Sequence, residues 1–119
     1  MSRKNERVFE YLGHILAAIT RIERYTEGIA EHQFLESELI QDAVIRNFEV
    51  IGEASRNIER NCPEFGDTYR ELPLVDAYEM RNALAHGYFR VDLELVWKTI
   101  RNDLPALRGQ IESILKPEG

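Results

Sequence analysis

The stretch VFEYLGHILAAITRIERYTEGI, residues 8–29, sets Val8, Leu12, Ile15, Leu16, Ile19, Ile22 and Ile29 at spacings dominated by three, four and seven. A period of about 3.6 residues produces that recurrence, so the stretch predicts a long amphipathic helix. Glu6, Arg7, Arg21, Glu23, Arg24 and Glu27 mostly occupy the rest of its circumference. Gly28 and the polar run Glu31-His32-Gln33 mark its expected end.

Working outward, a second long helix is expected from Glu36 or Ser37 to about Glu59, with Ser37 standing where an N-cap belongs. Leu39, Ala43, Phe48, Ile51, Ala54 and Ile58 form its predicted stripe, and Val44, Ile45 and Val50 widen it. So broad an apolar face calls for a central position or a second subunit. Gly52 inside this pattern costs roughly 1 kcal/mol relative to alanine, which close approach by another helix would explain. Residues 61–73 collect breakers and turn residues and read as the one long connection. A third, shorter helix is expected from Leu74 to Asp76 towards His86, stopped by Gly87. Asp92 is placed to cap a fourth helix through Leu93-Glu94-Leu95-Val96-Trp97-Lys98-Thr99-Ile100. At Pro105 the reading is either a kink or a fresh fifth helix to Leu115.

No alternating strand pattern of useful length interrupts this series, so the expected fold class is all-α: an antiparallel four- to five-helix bundle. A chain of 119 residues with 44% apolar and 30% charged residues supports one core, hence a single domain over residues 1–119. A domain of this size gains by pairing, so a homodimer is expected. No run approaches the roughly 20 apolar residues that cross a bilayer, and the N-terminus leads into an amphipathic pattern without a cleavable apolar region; no membrane association and a cytoplasmic location are expected. The net charge of −6 argues against a protein that coats nucleic acid nonspecifically. An enzyme needs only a local positive cleft.

Chemistry concentrates in Arg81-Asn82-Ala83-Leu84-Ala85-His86-Gly87-Tyr88. A guanidinium presents a planar fork that fits phosphate oxygens and stabilises the charge growing on a five-coordinate phosphorus. An imidazole takes and returns protons near neutrality. With RNA the nucleophile is already present as the 2′-hydroxyl, so a base, an acid and an anion stabiliser suffice, and no metal or cofactor is required. His86 is assigned proton transfer, Arg81 phosphate binding, and Tyr88 a hydrogen bond or stacking contact with substrate. Asn82, four positions before His86, is placed to hold the imidazole in one tautomer. Five residues of helix rotate by about 500°, leaving Arg81 and His86 about 140° apart. Either the helix ends near Ala85, or the arginine bends across, or two subunits each supply part of one site.

The run Arg81 to Phe89 resembles the Arg-x-x-x-x-His motif, extended by x-Tyr, of HEPN-domain proteins, specifically the HepT-like toxins. The similarity continues through Val91-Asp92-Leu93-Glu94-Leu95-Val96-Trp97 and Asn102-Asp103-Leu104-Pro105, and upstream through Arg46-Asn47 and Ile51-Gly52-Glu53-Ala54. The resemblance implies a helical HEPN domain that dimerises to form a composite RNase cleft, with Arg81 and His86 at the catalytic positions. It also implies a partner, a cognate MntA-like minimal nucleotidyltransferase antitoxin that transfers AMP from ATP to Tyr88. AMP there is a covalent modification rather than a cofactor, and it blocks the cleft by bulk and by repelling RNA phosphates. The expected function is a metal-independent endoribonuclease toxin of a toxin–antitoxin system. The alternative is a noncatalytic nucleotide-binding or substrate-presenting subunit of a nucleotidyltransferase complex, for which the acidic balance speaks; a purely structural dimerisation module is a third.

Other residues read more plainly. Cys62 is a small loop residue, His14 and His32 are solvated or packing side chains, and Trp97 is a core anchor. Glu49 and Glu53 lack the Glu-x-x-His companions of a bundle metal site. Arg46 and Glu53, seven apart, share a face and form either a surface pair or a support for the cleft.

Overall fold

The computed structural model describes residues 3–64 and 93–116. The described elements are helices without exception: α1 (Arg3–Tyr25), α2 (Glu31–Glu36), α3 (Glu38–Asn61), α4 (Leu93–Lys98), a π-helical turn (Thr99–Asp103) and α5 (Leu104–Leu115). The all-α expectation therefore holds for every described residue. The predicted third helix, Gly87 and the Asp92 cap lie outside the described residues.

The first helix forms because its apolar period holds: Leu12, Ile15, Ile19 and Ile22 are completely buried. It ends at Tyr25, earlier than the apolar pattern implied. Thr26 is buried and satisfies its hydroxyl on the Ile22 carbonyl at 2.8 Å. Gly28 then turns the chain with φ of 75°, a left-handed conformation that costs glycine little.

The polar run after Gly28 is not merely a terminus. It forms the short helix α2, whose Gln33 side chain accepts from the Ala30 N–H at 2.7 Å. Phe34 anchors it, fully buried, with its ring centroid 5.4 Å from that of Trp97. Ser37 separates α2 from α3 and caps the latter as expected, its hydroxyl accepting from the Ile40 N–H at 3.2 Å.

In α3 the buried face is Val44, Phe48, Ile51, Ala54 and Ile58. Leu39, assigned to that stripe from sequence, is 81% exposed. It sits about 140° around the axis from Val44 and about 120° from Ile51, which turns it away from the centre of the buried face. Cys62 ends α3 buried, its N–H donating to the Ile58 carbonyl at 2.8 Å, and Pro63 and Glu64 are helical again.

Residues 93–115 run as one rod through the π turn. Of the two readings at Pro105 the fifth helix holds, since α5 begins at Leu104 with Pro105 in its first turn, but it follows α4 without a break. The missing N–H of Pro105 and its ring are incompatible with the α-helical bond to the residue four back, Arg101. The backbone widens just upstream instead, and Leu104 donates to the Thr99 carbonyl, five residues back. The rod stays helical, and Leu104, Leu107 and Ile111 remain buried.

Long-range contacts give the packing directions. Arg101 reaches the Ile29 carbonyl, while Arg108, further along the rod, reaches Glu23 and Thr20 earlier in α1. The rod thus runs antiparallel to α1. On its other side α1 packs along α3, where Arg21 near the end of α1 meets Asn47 in the first half of α3. Among the described residues α1 is therefore the central helix, a place the breadth of the second helix's stripe had suggested for α3. No helix of the described residues is long and apolar enough to cross a membrane.

Candidate functional site

The four residues on which the sequence concentrates chemistry, Arg81, Asn82, His86 and Tyr88, lie outside the described residues. The structure describes the helices on either side of them in sequence. Two stretches resembling the family, Arg46-Asn47 and Ile51-Gly52-Glu53-Ala54, lie on α3; two more, Leu93 to Trp97 and Asn102 to Pro105, lie on the rod.

On α3, adjacent residues take opposite roles. Arg46 is exposed and pairs with Glu49 at 3.5 Å, one turn along, rather than with Glu53. An exposed pair of this kind stabilises little. Asn47 is buried, and its Nδ2 donates to the Ala43 carbonyl at 2.9 Å. Its Oδ1 accepts from the Arg21 Nε at 2.7 Å. A short-range turn thus fixes the amide, and the amide fixes a guanidinium on the neighbouring helix. Ser55 is buried in the same helix with its hydroxyl on the Ile51 carbonyl at 2.8 Å. Buried polar groups cost free energy unless bonded, and both are bonded.

Sequence reading missed the pairing of Arg21 with Asn47. One signal was available: the residues three and four positions from Arg21 on α1 are Ala17, Ala18, Arg24 and Tyr25, so no carboxylate on its own helix can neutralise it.

A second cluster joins α1 to α5. The Arg108 Nε donates to Glu23 at 2.8 Å, one Nη donates to the Thr20 hydroxyl at 2.6 Å, and the other meets Glu112 at 3.4 Å. The hydrogen bond to Glu23 raises the Arg108 pKa above its ordinary value, against the opposing effect of burial. Beside this cluster lies an open groove of about 550 Å³, lined by Glu23, Arg24, Glu27, Gly28, Arg101 and Pro105 among others. Its charges are mixed, and the Arg101 guanidinium is engaged by the Ile29 carbonyl at 3.0 Å and by the face of Trp97 at 4.7 Å.

The remaining residues behave as their surroundings dictate. Trp97 is 7% exposed and packed on Phe34, a core anchor as expected. His14 is exposed, edge-on to Tyr11 with centroids 6.4 Å apart, and His32 is exposed on α2. Among the described residues no group of histidine, cysteine, aspartate or glutamate is arranged to hold a metal, Glu49 and Glu53 included.

Comparison with known proteins places these helices. Residues 15–114 match the family described as "Ribonuclease HepT-like". A Thermococcus cleftensis protein named "Probable ribonuclease HepT" is 41% identical over 107 residues, covering 90% of this chain and 94% of its own. A Methanocaldococcus jannaschii protein named "Gamma-glutamylcyclotransferase and putative RNase MJ0434" is 42% identical over 106 residues, 89% of this chain but 46% of its own length. This chain thus spans about half of that relative. A second protein from that organism, "Putative RNase MJ1380", is 32% identical over 114 residues, 96% of this chain and all of its own. No solved structure matches. With the family match running from the middle of α1 to the last turn of α5, the chain belongs to the ribonuclease HepT-like family of HEPN domains.

Proposed function

We propose that this chain is a metal-independent endoribonuclease toxin that acts as a homodimer. The observation that carries the reading is the intact run from Arg81 to Tyr88 inside a stretch, residues 15–114, that matches a ribonuclease family. Relatives named as ribonucleases over nearly their whole length support an RNA substrate.

In this reading His86 removes the proton from a 2′-hydroxyl, whose oxygen attacks the adjacent phosphorus. Arg81 holds the nonbridging oxygens and stabilises the added charge. The 5′-oxygen departs with a proton supplied by an imidazole, leaving a 2′,3′-cyclic phosphate on one fragment and a 5′-hydroxyl on the other. Asn82 orients His86. As the family resemblance implies, the composite site draws on two subunits, which is one of the three ways residues about 140° apart on an ideal helix can share a cleft. Tyr88 is the regulatory position: transfer of AMP to its hydroxyl by a cognate MntA-like nucleotidyltransferase puts an anion where an RNA phosphate must enter.

In the test of this reading, the purified protein is expected to cleave RNA in EDTA, and His86→Ala to abolish cleavage while leaving helicity by circular dichroism unchanged. Cleavage surviving that substitution removes His86 from the mechanism. RNA left intact by the wild-type protein in every condition, together with measurable nucleotide binding, favours the noncatalytic subunit instead.

A further inference from the structure

On the side of α1 that meets α3, Arg21 is a cation with no carboxylate partner among the described residues. Arg21 uses its Nε–H on Asn47, a neutral amide, and its remaining guanidinium N–H groups have no acceptor among the described residues. Arg108 pairs with Glu23 and Glu112 and Arg46 with Glu49, whereas Arg21, like Arg101 on the Ile29 carbonyl and the Trp97 face, is met by neutral groups, in a chain where 21 acidic residues outnumber 15 basic ones. A half-buried guanidinium gains from a counter-charge, and an amide supplies orientation without charge. Orientation without charge leaves Arg21 able to take an anion, and a planar fork whose Nη groups meet no acceptor among the described residues suits a phosphate.

The surroundings narrow the class of ligand. Tyr11, His14, Arg21 and Tyr25 fall within an arc of about 80° around α1 and span about 21 Å along it. Both tyrosines are half-buried, Tyr11 with one side packed against the core, and His14 is exposed. The Arg24 guanidinium lies 5.8 Å from the Tyr25 ring centroid, which brings a second cation to the same end. Aromatic rings interleaved with arginine make a stacking track for unpaired bases with a contact for their backbone, a pattern that reads no sequence.

We propose that Arg21, oriented by Asn47, contacts a phosphate of a single RNA strand lying along the Tyr11 to Tyr25 face of α1. The proposal rests on the reading of the chain as an RNA-cleaving enzyme and adds a binding track to it. Arg21 touches substrate; Asn47 acts through Arg21 and is a positioning residue.

The test is binding of a fluorescent 2′-O-methyl oligoribonucleotide, which cannot supply the attacking hydroxyl, to the full chain at several salt concentrations. Arg21→Gln raises Kd roughly tenfold and flattens the slope of log K against log salt by about 0.7, the loss of one single-strand phosphate contact. On cleavable RNA the same variant raises KM and leaves kcat near wild type. Lys98→Gln, which removes one exposed charge from α4, stays within about twofold of wild type. Asn47→Asp neutralises the guanidinium without deleting it and also raises Kd; if Arg21→Gln does not fold, this variant carries the test. A wild-type Kd and salt slope in either folded variant overturns the proposal. So does a loss confined to capture of a protein partner, with RNA binding intact. If the wild-type protein cleaves RNA but Arg21→Gln binds normally, the track alone fails; if the wild-type protein neither binds nor cleaves RNA, the proposed function fails with it.

Discussion

The Arg108 guanidinium meets the Glu23 carboxylate at 2.6 Å and so ties the end of the rod to the central helix. Two further bonds from Arg108, to Thr20 and Glu112, hold its plane in place. The pair sets the register in which α5 lies antiparallel to α1, with Leu107 and Ile111 against the core.

Because 25% of the Arg108 side chain and 37% of the Glu23 side chain stay exposed, solvent screens the pair. Arg108→Ala is expected to cost about 1 kcal/mol or less, a fall of a few degrees in Tm. The sign with pH follows from the raised Arg108 pKa. A cation whose pKa is higher in the folded state contributes fully below its unfolded value and loses that contribution only as pH rises through the folded one. The difference in Tm between wild type and Arg108→Ala therefore stays flat between about pH 8 and 10 as far as Arg108 is concerned, and shrinks only in strong alkali. Thermal melts across that range check it.

Leucine and isoleucine positions separate by face. Ile19→Ala empties a fully buried site in α1 and should cost about 2–5 kcal/mol. Leu39→Ala removes a side chain that is 81% exposed and should stay within about 0.5 kcal/mol of wild type. Denaturant titration of both variants measures the contrast; equal losses would contradict the orientation of α3.

Ser37 is the joint between α2 and α3. Replacing it with alanine removes the acceptor for the Ile40 N–H and should cost about 1 kcal/mol. Ser37→Asp, which keeps an acceptor and adds a negative charge at a helix start, should recover that loss or exceed it. Paired melting curves decide between these outcomes.

These contrasts show what the sequence disclosed and why the rest escaped it. Long helices were legible because burial repeats over several turns, as in Leu12, Ile15, Ile19 and Ile22. The short α2 escaped because six residues with one apolar pair, Phe34 and Leu35, hold no measurable period. Leu39 misled because hydrophobicity was read without its angle on the helix. Pro105 announced a disturbance, but whether backbone bends, breaks or widens depends on the helices packed against it, and here it widens into the Thr99–Asp103 turn. Arg81, Asn82, His86 and Tyr88 were singled out by residue chemistry and a family motif, and they lie outside the described residues. The Arg21 to Asn47 bond spans 26 positions, and the local pattern shows only that Arg21 lacks a carboxylate on its own helix, not which residue it meets.

Regulation has its own readout. Co-expression with the proposed nucleotidyltransferase partner should add mass to this chain in multiples of an AMP residue, and Tyr88→Phe should abolish the addition and restore RNA cleavage in the presence of that partner. Intact-mass spectrometry records both; modification persisting in Tyr88→Phe would move the switch to another residue.

The central claim is that the 2′-hydroxyl of the substrate is the nucleophile and no metal takes part. Purified protein incubated in EDTA with one oligoribonucleotide and with its fully 2′-O-methylated counterpart tests that directly. The account predicts cleavage of the first, with a 2′,3′-cyclic phosphate end, and none of the second. Cleavage of both, or cleavage of the first only after a divalent metal is restored, would contradict it.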